Sequence, residues 1–191
     1  MILEVVQYGH PVLRQKGARI EQITPEIRRL IEDMLETMYE YQGVGLAAQQ
    51  VGHALQLTVV DVREATDRPS SLEINGQPAD LAAHMPMVLI NPVVTPLGAP
   101  ETGPEGCLSF PEIYGDITRP GLVEVEALDR EGRPVKFRCG GLLSRAIQHE
   151  VDHLNGILFI DRMNAETRER LRPALEQMRF ETQAALARKK K

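Results

Sequence analysis

The sequence predicts an α+β protein in which antiparallel β-sheets pack around one central helix, with a further helix towards each end of the chain. Three observations lead there. Helical spacing of apolar residues at 24–43 is followed by strand-like runs at 56–62, 87–94, 122–128 and 134–139, and helical spacing then returns at 141–154 and beyond 161. Helix, then strands, then helices is the order of an α+β fold, not of alternating βαβ units. The turn Asp129-Arg130-Glu131-Gly132 joins the last two strands as a hairpin. Finally, Ile147, Val151 and Leu154 line one side of the penultimate helix, so that helix is expected within the core.

Each element has its own cause. Residues 1–20 hold Gly9 and Pro11 and read as an extended arm, with His10 at the surface. Thr24-Pro25-Glu26 is a helix start, cap then proline, and Ile27, Leu30, Ile31, Met34, Leu35 and Met38 form its core face up to Gly43. Gly43 to Gly52 is a run of small apolar residues suited to a close backbone approach, but it lacks the strand and the spacing of a phosphate loop. Residues 63–86 are mostly polar and read as a surface excursion turning at Asn75-Gly76, with His84 exposed. In 122–128, Val123, Val125 and Ala127 alternate with Glu124 and Glu126, which gives one wet face. Gly140-Gly141 opens the next helix and Asn155-Gly156 closes it. The last helical pattern carries Leu171, Leu175, Met178, Ala185 and Leu186, and Pro173 is expected to break or restart it.

The chain has 191 residues, 42% apolar and 26% charged, the composition of an ordinary globular protein with one catalytic domain. No run nears the roughly 18 apolar residues of a membrane span, and the opening residues lack the pattern of a secretory signal, so the expected location is cytoplasmic. Two cysteines, Cys107 and Cys139, are too few for a disulfide framework. The net charge of −5 hides an asymmetry: residues 162–191 hold nine Lys/Arg and four Glu, which is +5, leaving −10 elsewhere. A basic tail on an acidic body suits an anionic partner.

The chemistry starts at His149-Glu150-Val151-Asp152-His153. At roughly 100° per residue the two histidines face one side of a helix and can share a cation, with Glu150 beside it. With five His in 191 residues, such a pattern arises by chance in roughly one sequence in a hundred. A catalytic site needs a third protein ligand. Cys107, Cys139, His10, His53, His84 and the carboxylates are all candidates. Cys107 stands out in the constrained segment Glu105-Gly106-Cys107-Leu108-Ser109, whereas Cys139 reads as a small buried residue ending a strand.

Gly43-Val44-Gly45-Leu46-Ala47-Ala48-Gln49-Gln50, Glu105-Gly106-Cys107-Leu108-Ser109 and His149-Glu150-Val151-Asp152-His153 together resemble, in order, the three motifs of the peptide deformylase family. The similarity extends over most of residues 1–163, which it implies are the catalytic domain, with 164–191 a helical extension ending in a basic tail. It implies that Cys107, His149 and His153 bind one divalent metal ion. Fe(II) is the expected physiological ion, and Zn(II), Ni(II) or Co(II) are alternatives the ligands also suit. Glu150 is then the base. Gln50 and the N–H of Leu108 are the donors to the formyl oxygen, and Gly43, Val44, Gly45 and Leu46 lie along an N-formylmethionyl peptide. Leu142 and Ala146 become candidates for the methionine pocket, where Arg145 is expected to lend its stem while its charge stays in water. Glu105 and Asp152 are candidates to support the histidines, and Arg119 to pair with one of these acids.

The activity implied is hydrolytic removal of the N-terminal formyl group from nascent chains, with the ribosome as a possible dock for Arg188 to Lys191, and no role for DNA or a membrane. A zincin-type endopeptidase and a non-catalytic metal domain compete with it. Cys107 as the third ligand weighs against the first, and a spare base with Gln50 against the second. Two departures from the usual family pattern, the long 63–86 link and Phe110, touch no catalytic position.

Overall fold

The computed structural model describes residues 1–191 and contains three α-helices and nine strands. α1 is Pro25–Glu40, α2 Gly141–Leu154 and α3 Ala165–Lys189. The strands are β1 Gly45–Ala47, β2 Leu57–Val60, β3 Ser70–Ile74, β4 Gln77–Pro78, β5 Met87–Pro96, β6 Pro100–Cys107, β7 Phe110–Pro120, β8 Leu122–Leu128 and β9 Pro134–Gly140. Seven strands make one sheet in the order β1-β2-β5-β8-β9-β3-β4, while β6 and β7 pair separately. All pairings among these nine strands are antiparallel, as expected.

The Thr24 hydroxyl accepts from the Ile27 N–H to cap α1, whose buried face is Leu30, Ile31, Met34, Leu35 and Met38. That face packs on β2 and β5. The opposite face of the large sheet receives Leu142, Leu143, Ala146 and Ile147 of α2. A third cluster ties Phe110, Ile113 and Ile117 of β7 to Leu158, Phe159 and Leu175. α2 therefore lies between the two sheets and is buried on most sides. Asn91 takes a positive φ of 51° at a bulge in β5, and its carboxamide exchanges two hydrogen bonds with the backbone of Ile20, pinning the arm as a strand partner would.

Two expectations need correction. Residues 63–86 are not merely a surface excursion: β3 pairs with β9, Leu72 is buried, and this segment caps α2. The Leu142 N–H donates to the Pro69 carbonyl and the Leu143 N–H to Ser70 Oγ, replacing the side-chain cap that Gly140 cannot supply. A Cβ on Gly141, where φ is +66°, would collide with the Pro69 carbonyl. Secondly, α3 runs through Pro173 as one element. The ring removes an N–H, but the carbonyl left behind, at Glu169, is on an exposed stretch where water can satisfy it. Residues 100–120, for which the sequence predicts no element beyond the constrained segment at Cys107, form the β6–β7 hairpin, which their prolines conceal.

Candidate metal centre and cleft

Two separate bodies bring the three expected ligands together. Cys107 ends β6 at the two-residue turn Leu108-Ser109, and His149 and His153 stand one turn apart on α2. One ligand atom from each lies within 4.8 Å of the others, and no other cluster of three His, Cys or acidic side chains converges in this way. Cys107 Sγ is 3.4 Å from His153 Nε2. His10, His53, His84 and Cys139 stay apart from them. Cys139 is buried beside β3 and β8, and burial pushes its thiol up to about 12, leaving it inert.

Two imidazoles and a thiol in a buried cleft suit a first-row divalent ion and leave room for a further ligand. The two imidazoles differ in protonation: burial pushes His149 down, but its contacts with Cys107 and Glu105 more than offset this and raise it well above its ordinary value, so without a metal it holds a proton that a bound cation would displace. His149 Nδ1 lies 2.9 Å from Glu105 Oε1, and donating there leaves Nε2 with its lone pair for a cation. Burial, with His149 nearby, pushes His153 well below its ordinary value, so its imidazole is neutral.

Two carboxylates flank the histidines and differ sharply. Burial alone would push Glu105 up, but hydrogen bonds from His149 and Arg119 hold it at about 2. Glu150, also buried, lacks such donors: its Oε1 has no partner, and burial pushes it up to about 7. Glu105 is thus a fixed anion, while Glu150 can carry a proton near neutrality. Gly45 sits so close that a Cβ there would collide with Glu150 Oε2.

Gln50 is buried and held at both ends, its Oε1 accepting from the Ala47 N–H at 2.9 Å and its Nε2 donating to Ser109 Oγ at 3.2 Å. The Nε2 atom is also 3.5 Å from Cys107 Sγ, so it faces the ligand cluster. The cleft over these groups has a volume of about 690 Å³. Gly43, Val44, Gly45, Leu108, Leu142 and Ala146 line it. Leu46 does not: its side chain is fully buried against α1, because β1 turns alternate residues to opposite faces. β1 is the edge strand of the large sheet, and it leaves a strand edge beside the cleft.

Behind the ligands runs a buried ionic network. Arg119 donates to both oxygens of Glu105 at 2.6 and 2.9 Å and to Asp152 at 2.9 Å. It therefore pairs with both acids. Asp152 makes no side-chain hydrogen bond to either histidine; it accepts from Arg119 and, on its outer side, from Arg162 at 2.6 Å. The expectation for Arg145 is overturned: its charge is not in water. The residue is 9% exposed, and its guanidinium reaches Glu105 and two backbone carbonyls. An unpaired buried cation is prohibitively costly, and here the partners lie on a hairpin that the sequence does not reveal. Arg162 also escapes sequence reasoning, since nothing separates it from the other arginines near the tail.

Comparisons with known proteins agree with this geometry. The sequence model of the polypeptide deformylase family matches residues 2–169. A peptide deformylase of Methylacidiphilum infernorum is 50% identical over 179 residues, 94% of each chain, and one from Opitutus terrae is 48% identical over 170 residues, 88% of each. Among solved structures, a peptide deformylase from Synechococcus elongatus in complex with actinonin superimposes with a TM-score of 0.76 at 42% identity, over 92% of this chain and 85% of that one. The enzyme from Thermus thermophilus gives 0.79 at 36% identity, over 95% and 99%. With this much of its length matched, and with the Cys/His/His cluster in place, the chain belongs to the peptide deformylase family, metal-dependent hydrolases that remove the formyl group from formyl-methionyl nascent polypeptides.

Proposed function

We propose that Cys107, His149 and His153 hold the metal and that Glu150 carries the proton of deformylation. The observation supporting this most directly is the unpartnered Oε1 of a buried Glu150 beside the converged ligand atoms. When bound, the ion supplies an acidified water and polarises the formyl carbonyl. Glu150, poised near neutrality, takes the proton of the attacking water and returns it to the departing amine. Gln50 Nε2 and the Leu108 N–H donate to the formyl oxygen as charge grows there. Gly43 and Val44, which lead into β1, and the edge of β1 at Gly45, together with the backbone of Leu46, pair with the peptide, and Leu142 and Ala146 receive the methionine side chain.

Fe(II) is the ion we assign physiologically, held by donors that also accept Zn(II), Ni(II) or Co(II). Residues 1–163 are the catalytic domain and 164–191 an appended helix. The enzyme works in the cytoplasm, and no helix is long and apolar enough to cross a membrane.

Protein purified anaerobically, with its metal quantified, should release formate from formyl-Met-Ala-Ser and leave a longer unformylated peptide uncut. Glu150→Ala should keep the metal and lose roughly 10²- to 10⁴-fold in turnover, while Cys107→Ala should lose the metal itself. Equal turnover in all three proteins would refute these roles. The exposed cations Arg188 to Lys191 support docking on ribosomal RNA. Deleting 182–191 should reduce co-sedimentation with ribosomes, and unchanged binding would dismiss that dock.

A further inference from the structure

We infer that Arg145 is a positioning residue that locks the β6–β7 hairpin in register with α2 and thereby sets how firmly the enzyme keeps its metal. This rests on the ligand assignment above. The centre is assembled from two bodies, a thiol on the hairpin and two imidazoles on the helix, so its geometry depends on whatever fixes one body against the other.

Arg145 is the one residue of α2 that hydrogen-bonds to both hairpin strands. Its Nη1 donates to the Ile117 carbonyl of β7 at 2.7 Å and to Glu105 Oε2 at 2.9 Å, and its Nη2 donates to the Glu101 carbonyl of β6 at 3.0 Å. The guanidinium also packs along β6 at Gly103, where even a Cβ would meet it in ordinary van der Waals contact at 3.4–3.6 Å from Nη2, Cζ and Nε. The other ties between the two bodies each reach a single strand. Gln148 donates to the Pro120 carbonyl, and Arg119 of β7 reaches Asp152.

The position of Arg145 along the helix matters as much as its reach. It precedes His149 by four residues, so the two side chains emerge on the same face one turn apart. Both converge on Glu105, whose Oε2 accepts from Arg145 and Arg119 while Oε1 accepts from Arg119 and His149. Arg145 therefore holds the carboxylate that orients one metal ligand, and also the strand that carries another, Cys107. A planar guanidinium with several fixed donors can satisfy three acceptors at once, and a lysine ammonium on a flexible stem cannot do so in the same geometry.

The test loads wild type, Arg145→Lys, Arg145→Met and Arg162→Gln with Co(II) under anaerobic conditions. The thiolate-to-cobalt absorption is then followed after adding excess chelator, and thermal unfolding of each metal-free protein is recorded alongside. Arg145→Met should release cobalt roughly 100-fold faster than wild type and Arg145→Lys roughly 10-fold faster, the range that supporting residues of metal sites command. Arg162→Gln, which perturbs the same network but makes no hydrogen bond to the hairpin, should release it at close to the wild-type rate. If both Arg145 variants release cobalt as slowly as wild type, whatever their unfolding temperatures, the positioning role is overturned. If wild type itself shows no thiolate-to-cobalt absorption, the ligand assignment fails, and this inference fails with it. Arg145→Lys, which keeps a cation at the site, guards against a Met variant that does not fold.

Discussion

The two halves of the metal centre are held by different forces. α2 is packed on most sides: Leu142, Leu143, Ala146 and Ile147 enter the large apolar cluster, and Leu154 is fully buried. The β6–β7 hairpin has only two strands, contains four prolines, and contributes Phe110, Ile113 and Ile117 to a smaller cluster. A two-stranded ribbon is marginal by itself in water. Charges and hydrogen bonds from Arg119, Arg145 and Gln148 fasten it to the helix. Packing thus fixes the histidines, and a polar network fixes the thiol. Core substitutions in α2 should act mainly on folding, and substitutions at the hairpin seam mainly on the metal.

Gln50 offers the largest test of that division, because it belongs to neither half yet bonds to Ser109 at the hairpin turn. If its role is to donate to the reacting oxygen, Gln50→Leu should cost roughly 10²- to 10³-fold in kcat with the metal retained. Loss of metal in proportion to activity would instead make Gln50 a part of the hairpin's fastening.

Glu105 comes next in size. It lies on the hairpin, and it grips the helix at His149 and Arg145. Glu105→Gln keeps the shape but removes the charge that two guanidinium groups share. Metal affinity should fall roughly 10- to 100-fold, measured by competition with a chelator. Catalysis by the fully loaded variant should fall much less. Unchanged affinity would mean that the helix alone organises the site.

The same contrast decides what can be read without a structure. α1 and β8 announce themselves through apolar spacing because each buries one regular face, and β2 and β5 through continuous apolar runs because they are buried on both; β9 is placed by the turn that precedes it and α2 by its apolar stripe. The hairpin has no such signature: Pro100, Pro104, Pro111 and Pro120 depress strand propensity, and they are tolerated because each strand has a free edge. β3 is hidden for a related reason, since its burial pattern leaves only Leu72 inside. The two histidines and Glu150 are legible from spacing alone. Cys107 stands out only by its constrained setting and by resemblance, since its partners are more than forty residues away. Arg145 defeats local reasoning because a buried cation is tolerable only with partners that long-range pairing supplies, and local sequence carries no record of those. Leu46 is legible only as backbone: the resemblance sets it along the peptide by its main chain, and alternation in β1 sends its side chain into the core.

The smallest effect probes a third kind of seam, at the exposed end of the helix, where the N-terminal arm meets the chain leaving α2. Arg14 donates to Asp161 at 2.5 and 3.1 Å, and both side chains are more than a third exposed. Burial pushes the Asp161 carboxyl up, but hydrogen bonds from Arg14 and the Leu158 N–H more than offset this, so it lies below its ordinary value of 3.8. A carboxyl with a depressed folded-state pKa adds stability that is fully present above its unfolded value and is lost as the pH falls through the folded one. Solvent screening limits this pair to about 1 kcal/mol or less. Arg14→Gln should therefore lower the urea midpoint slightly near neutral pH. The difference from wild type should close in acid below the ordinary carboxylate range, and shrink in high salt. A gap that survives both would show that Arg14 acts through its contact with the Gly156 carbonyl at 3.2 Å, by packing the arm against the helix end rather than by charge. That outcome would place this outer seam with α2, among the regions held by fit, and leave the hairpin as the part of the site held by ions.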